Sequence, residues 1–367
     1  MKNDGTGFGY FWPEERGGPH PMSRVYLDWN ATAPLRPEAR AAMIAAMDVV
    51  GNPSSVHGEG RKALAIVETA RVKIKSAFGA DSADIAFTSG ATEGAGLALA
   101  GREIHCADVE HDAVAAWCTA DISVENGTVL TSAPTTTALQ AANSETGILQ
   151  TGFENIALCD AVQAFGKTSF AFEWSGAQMA LLSAHKLGGP KGIGAVVLQQ
   201  GLELKPQIKG GGQEQGRRSG TENVIGIAGF GAAAEAAQRD LDNGLWEPVE
   251  ALRDQFEARL ADAVPDAIFV GQAAKRLPNT SCIAVPGWKG ETQVMQMDLA
   301  GYAISAGSAC SSGKVKRSRV LTAMGFDDIT ASSAIRVSIG PTTTQNELMG
   351  FADAWLAQYK KFKARAA

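Results

Sequence analysis

The sequence predicts an α/β protein: a mainly parallel sheet with crossover helices in the longer N-terminal part, followed by a smaller α+β unit. Three observations carry this. From Asp84 to Val197 short apolar runs alternate with helical ones, the rhythm of strand-crossover-strand units. Two long helical patterns then cover 221–239 and 246–263. From Ile268 onward, shorter strand-like runs alternate with helical stretches. No internal repeat is present.

In chain order, residues 57–78 carry Leu64, Val67, Val72 and Ile74 among charges, which predicts an amphipathic helix. Strands are expected at Ile85–Phe87, Val129–Leu130, Ile156–Cys159, Met179–Leu182 and Ile193–Leu198, with an Ala/Gly-rich helix over 91–100. In the C-terminal part, strands at 268–270, 281–285 and 335–339 alternate with helices at 291–300, 316–324 and 344–363. The domain reading is 23–245 for the large unit and 246–367 for the small one, with 23–40 contributing to the small unit or the site. Residues 1–22 are an extension expected to be disordered.

The 367 residues are 45% hydrophobic and 20% charged, enough for a large core. A formal net charge of -6 with both signs interspersed argues against nucleic acid or anionic lipid as a partner. No run approaches the ~20 apolar residues of a membrane span. The five cysteines form no C-x-x-C pair, so neither a disulfide framework nor a metal site is expected, and a reducing, cytoplasmic setting fits.

Three local patterns carry chemistry. Ser183-Ala184-His185-Lys186 follows an apolar run and precedes Gly188-Gly189-Pro190, placing Lys186 where a buried strand ends; partial desolvation there frees an amine for Schiff-base chemistry. Thr88-Ser89-Gly90-Ala91-Thr92-Glu93 turns from strand to helix and offers hydroxyls and free N–H groups to a phosphate. Asp160 ends a strand with Gln163 one turn on, facing the crevice where α/β sheets bind ligands and where a carboxylate can pair with a protonated pyridine nitrogen. Each pattern alone has a plainer explanation: a surface lysine, an ordinary helix cap, an N-capping aspartate.

Together with Leu27–Thr32, Gly51–His57, Glu110-His111, Asn143–Gly147, Arg218–Thr221 and Gly307–Ser312, they stand in an order that resembles the class V, fold-type I enzymes dependent on pyridoxal 5'-phosphate (PLP), and within them the cysteine desulfurases of the NifS/IscS type. That resemblance, running from Tyr26 to about Gly340, implies a seven-stranded-type sheet. It also implies that Lys186 forms the Schiff base with PLP, that Asp160 partners the pyridine nitrogen, that Gln163 donates to the ring hydroxyl and that His111 stacks on the ring. It further implies a phosphate cradle of Ala91, Thr92, Ser183 and His185, completed by Thr221 from the other subunit of a homodimer, and contacts to substrate and cofactor from Asn30, Asn143 and Arg336, the last as a fork on the carboxylate.

By the same resemblance L-cysteine is the substrate, and Cys310 takes its sulfur as a persulfide for an acceptor protein serving iron-sulfur cluster or thiocofactor synthesis. The residues around Cys310 agree independently: glycines and serines on both sides, then Lys314, Lys316 and Arg317, a polar and electropositive setting for a thiolate. Cys106, Cys118, Cys159 and Cys282 lie in or after apolar patterns and are read as core residues. His57 and His105 are given no catalytic role. The stretch between His111 and Asn143 is shorter than the family usually has, so a strand-helix unit is expected to be trimmed there. The competing readings are a selenocysteine lyase or another class V enzyme, for which Cys310 would be dispensable, and an inactive partner protein that keeps the fold.

Overall fold

The structure is a computed structural model that describes residues 24–307 and 317–366; the extension 1–22 and Cys310 lie outside the described residues. The larger part begins with two helices, α1 (Pro37–Met47) and α2 (Gly58–Ala77). Helix α2 buries Gly60, Ala63, Val67, Ala70, Ile74 and Ala77, spaced three and four apart as one face of a helix requires. His57 is its N-cap, the ring Nδ1 accepting from the Gly60 N–H at 3.3 Å, so this histidine is structural.

The sheet elements follow: β1 (Asp84–Thr88), α3 (Ala91–Leu99), β2 (His105–Ala107), β3 (Thr119–Ile122), β4 (Ala138–Gln140), β5 (Leu158–Asp160), β6 (Met179–Ser183) and β7 (Gly194–Leu198). Five strands lie in the order β1-β7-β6-β5-β4. A parallel bridge from Thr137 to His105 brings the parallel β2-β3 pair beside β4 and extends the sheet to seven strands. Strands β6 and β7 are buried along their whole length, as expected where both faces are covered. Alternate residues serve opposite layers: Ala180 and Leu182 join Phe78, Phe165 and Phe230 on one face, while Met179 and Leu181 join Leu97 and Leu99 of α3 on the other.

Strand β7 departs from the expected parallel rhythm. It is antiparallel to both β6 and β1, with Gly194 opposite Ser183 and Thr88. The connection from β6 holds a single turn of 3-10 helix, and a parallel return needs a crossover of about a dozen residues or more. Gly188 and Gly192, both at positive φ, turn the chain there instead. The expected strand at Val129–Leu130 is also different: Thr128–Val129 pairs with Val124–Glu125 in a small hairpin outside the main sheet.

Helices α4 (Val224–Asp242) and α5 (Glu247–Ala263) lead out of the large sheet. Helix α4 is buried all round over Gly226–Gly231, and Gly231 lets it approach Ala70 of α2 so closely that a Cβ would sit 2.7 Å from the Ala70 Cα. The smaller part holds β8 (Ile268–Phe269), β9 (Thr280–Ala284), α6 (Gly290–Leu299), β10 (Ser305–Ala306), β11 (Ala334–Ser338) and α7 (Gln345–Ala366). Its antiparallel sheet runs β8-β9-β11-β10 over a core of Phe256, Trp288, Phe351 and Trp355. The N-terminal strand Val25–Tyr26 pairs with Tyr302–Ala303, and Asp28 bridges to Ser338 of β11. The chain is thereby carried from the small sheet into the large one at Asn30.

Strand β7 passes so close to the β1-α3 turn that a Cβ on Gly194 would meet the Leu182 carbonyl at 2.6 Å and Gly90 at 2.8 Å. Gly194→Val is therefore expected to destabilise the protein by about 1–3 kcal/mol, measured by urea unfolding. Wild-type stability in this variant would mean the backbone there is looser than described.

Candidate active site

A cavity of about 560 Å³ opens where β1, β4, β5 and β6 end. Parallel strands place their C-terminal ends on one edge, so residues far apart in sequence converge there. Of the residues singled out from sequence, Ala91, Thr92, His111, Asp160, Gln163, Ser183, His185 and Lys186 all line it.

Lys186 sits on the 3-10 turn after β6, and its Nζ donates to the backbone carbonyls of Asn30 at 2.6 Å and Ala31 at 2.9 Å. Asp160, the last residue of β5, accepts from the Val162 N–H at 3.0 Å. Burial pushes its carboxyl above the usual range, while the neighbouring His111 and Lys186 pull it back. His111 is the N-cap of the short helix Asp112–Ala115; its Nδ1 accepts from the Ala113 N–H at 3.1 Å, which leaves Nε2 to carry the proton of the neutral ring. His185 is held down to about 4 by burial first and then by Lys186 and Lys191, so it is neutral near pH 7. Its Nδ1 is buried with no hydrogen-bond partner among the described residues.

The remaining expected residues lie elsewhere. Arg336 is 2% exposed and does not line the cavity; its guanidinium donates to Asp28 Oδ1 at 2.7 Å and to the Ser144 carbonyl at 3.0 Å, and its Nε has no partner among the described residues. Ser144 itself does line the cavity, so Arg336 stands directly behind that wall. Asn143 spends its side chain on local structure: Oδ1 accepts from the N–H groups of Glu145 and Thr146, and Nδ2 donates to the Val109 carbonyl. Asn30 meets Lys186 through its backbone, while its amide reaches Thr280 Oγ1 at 2.8 Å. Thr221 is exposed on a smaller cavity of about 110 Å³ that shares Ser89 and Gly192 with the large one.

Three ionisable residues near the site carried no role in the sequence reading. Lys167 is buried against Asn30 and Gln163. Glu110 accepts from the Gln140 N–H at 2.7 Å, and burial with Asp160 nearby pushes its carboxyl well up. Glu145 accepts from Ser318 Oγ, and burial raises it to about 7 against the pull of Ser318 and Arg336. Glu110 and Glu145 fall in segments already matched to the family, next to His111 and Asn143, and that adjacency was the available signal. Lys167 follows Gln163 by one helical turn, but nothing in its composition marks a lysine as buried.

A cavity at the strand ends of an α/β sheet, lined by an amine, a buried carboxylate and a helix N-terminus without a side-chain cap, is where an enzyme of this fold class places its active site. The aminotransferase class-V family model matches residues 25–138 and 125–351, and the chain belongs to that family. It is 39% identical to a cysteine desulfurase of Cereibacter sphaeroides, over 89% of this chain and 93% of that protein. Among solved structures, a NifS-like protein from Rickettsia africae superposes with a TM-score of 0.83 at 31% identity, covering 92% of this chain and 99% of that one. A structure described as SspA in complex with cysteine superposes at 0.72 and 28% identity, over 87% of this chain and 100% of that one. Among the described residues no helix is long and apolar enough to cross a membrane, and no group of His, Cys, Asp and Glu side chains could hold a metal ion.

Glu145 gives the protein a pH dependence of known sign. Its folded value of about 7 lies above the unfolded carboxyl value, so between roughly pH 4.3 and 7 the folded chain holds a proton that the unfolded chain releases. Stability from this group is full below that window and is lost as pH rises through it, by on the order of 3–4 kcal/mol. Urea unfolding at pH 5 and pH 8 should show this loss in the wild type and a smaller one in Glu145→Gln; equal losses would contradict the assignment.

Proposed function

We propose that the chain is a PLP-dependent cysteine desulfurase that converts L-cysteine to L-alanine and takes the sulfur onto Cys310 as a persulfide. The observation that carries this reading is that Lys186 and Asp160, an amine and a buried carboxylate from different strand ends, face one cavity.

The residues present fit the cofactor. Gly90 caps α3 without a side-chain hydrogen bond, which leaves the first N–H groups of the helix open to a phosphate beside Thr92 and Ser183. The buried Nδ1 of His185, without a hydrogen-bond partner among the described residues, is a further polar atom that a ligand would satisfy. Asp160 suits a pyridinium nitrogen, His111 a ring face, Gln163 a ring hydroxyl, and Lys186 the aldehyde carbon. When bound, PLP supplies an electron-withdrawing ring that stabilises negative charge on the substrate α-carbon.

The chain's own groups divide the remaining work. Lys186, freed by the substrate amine, takes the α-proton. The family resemblance gives the substrate carboxylate to Arg336; in the structure Asp28 and the Ser144 carbonyl hold its guanidinium just behind the cavity wall, so the carboxylate reaches it only where the Ser144 contact yields. The Cys310 thiolate attacks the substrate sulfur; the new S–S bond forms as the C–S bond breaks, its electron pair stays with the carbon skeleton, and that carbon is reprotonated as alanine. In the same reading the chain is a homodimer in which Thr221 serves the partner's phosphate, Asn30 and Asn143 shape the substrate side, and an acceptor protein collects the persulfide sulfur.

Incubated with L-cysteine, the wild type should release alanine and, with a thiol reductant, sulfide. Cys310→Ala should lose about 100-fold or more of this turnover while keeping the visible absorption of bound PLP. Mass spectrometry after brief exposure to L-cysteine should find one added sulfur on the peptide containing Cys310. Full turnover by Cys310→Ala, or sulfur on Cys106, Cys118, Cys159 or Cys282 instead, contradicts the persulfide step.

A further inference from the structure

Lys167 is 3% exposed, yet among the described residues its only acceptors are two neutral amide oxygens: Gln163 Oε1 at 2.6 Å and Asn30 Oδ1 at 3.0 Å. A buried ammonium normally has a carboxylate beside it, because an unpaired charge in a dry interior is costly. Two acceptors match the two N–H bonds of a neutral amine and would leave one N–H of an ammonium without an acceptor among the described residues. Burial, together with the cations Lys186 and Arg336, depresses its pKa well below the ordinary lysine value.

Such a group decides which way an amide points. Gln163 and Asn30 can each present oxygen or NH₂ at a given place, and the hydrogen-bond partners choose. With Lys167 donating to Gln163 Oε1, the Gln163 NH₂ is turned to the Asn30 carbonyl at 3.0 Å. That carbonyl is also the acceptor of the Lys186 amine at 2.6 Å. The Asn30 side chain is turned likewise, its NH₂ to Thr280 and the Ser144 carbonyl, but Asn279 also donates to its oxygen at 3.1 Å. Asn30 is thus fixed by Thr280, Ser144 and Asn279 as well as by Lys167, whereas Gln163, which lines the cavity, has only the Asn30 carbonyl on its NH₂ and Lys167 as the one side-chain donor to its oxygen among the described residues.

We propose that Lys167 is a positioning residue of the desulfurase site, keeping an N–H edge of Gln163 rather than its oxygen toward the cofactor's ring hydroxyl and holding the Asn30 carbonyl against Lys186. This rests on the reading of the cavity as a PLP site. Without the lysine, Gln163 Oε1 loses its donor and the amide is held by the Asn30 carbonyl alone, so its N–H edge is no longer fixed on the ring hydroxyl, the anionic form of that hydroxyl loses a donor, and its proton is held more tightly.

The test is a pH titration of the visible band of full-length, PLP-loaded protein without substrate, with PLP affinity measured in parallel. Lys167→Met should load PLP about tenfold more weakly and raise the band's midpoint by about one pH unit. Adding Gln163→Leu should produce no further shift, because both changes remove the same donor. Lys167→Gln, whose N–H donor is one bond short, should shift by a smaller amount and be equally insensitive to Gln163→Leu; it is the variant to read should Lys167→Met not fold. An unshifted midpoint in Lys167→Met, or shifts that add with Gln163→Leu in either background, overturns the proposal while leaving the PLP site standing. A wild-type chain that takes up no PLP overturns both.

Discussion

The structure depends on holding ionisable groups in place at the edge of one sheet by hydrogen bonds to neutral partners. Asp160, Lys186, His185, Lys167, Glu110 and Arg336 are gathered behind or around a single cavity, and among the described residues Arg336 is paired with the Asp28 carboxylate. Most are held by backbone carbonyls, N–H groups and amides, which hydrogen-bond a polar group without neutralising it. Groups kept in that state have shifted proton affinities, and such shifts gather where chemistry is done.

Asn30 is where the two parts of the molecule meet this requirement together. Its backbone carbonyl takes Lys186 and Gln163 from the large sheet, while its side chain is bound by Thr280 and Asn279 from the small one and its N–H donates to Ser338 Oγ at 3.0 Å. Two residues earlier, Asp28 pairs with Arg336 and accepts from Ser305. A short N-terminal segment therefore connects Arg336, behind the Ser144 wall of the cavity, to the Lys186 amine. Displacement of the small sheet would be felt at Lys186 through one residue.

Much of this was legible in the sequence because burial leaves a trace in composition. An apolar run that stops at a polar residue marks a strand end, and that pattern singled out Asp160 and Lys186, both of which face the cavity. The Ser-Gly-Ala-Thr turn before α3 was visible for the same reason. The direction of β7 was not legible, since its apolar run has no polarity of its own and only the short glycine-rich connection forces the reversal. Nor was the ion pair of Arg336 with Asp28, which joins residues 308 positions apart. Lys167 was hidden for a different reason: lysine is read as a surface residue, and only the assembled partners show that this one is enclosed.

The claim at the centre of this account is that Lys186, and not its buried neighbour Lys167, is the amine that holds the cofactor. Borohydride reduction of the PLP-loaded protein, followed by peptide mass spectrometry, tests it directly by making the linkage permanent. The account predicts the pyridoxyl group on Lys186 alone. Recovery of the label on Lys167 or Lys191, or no label at all, would contradict it.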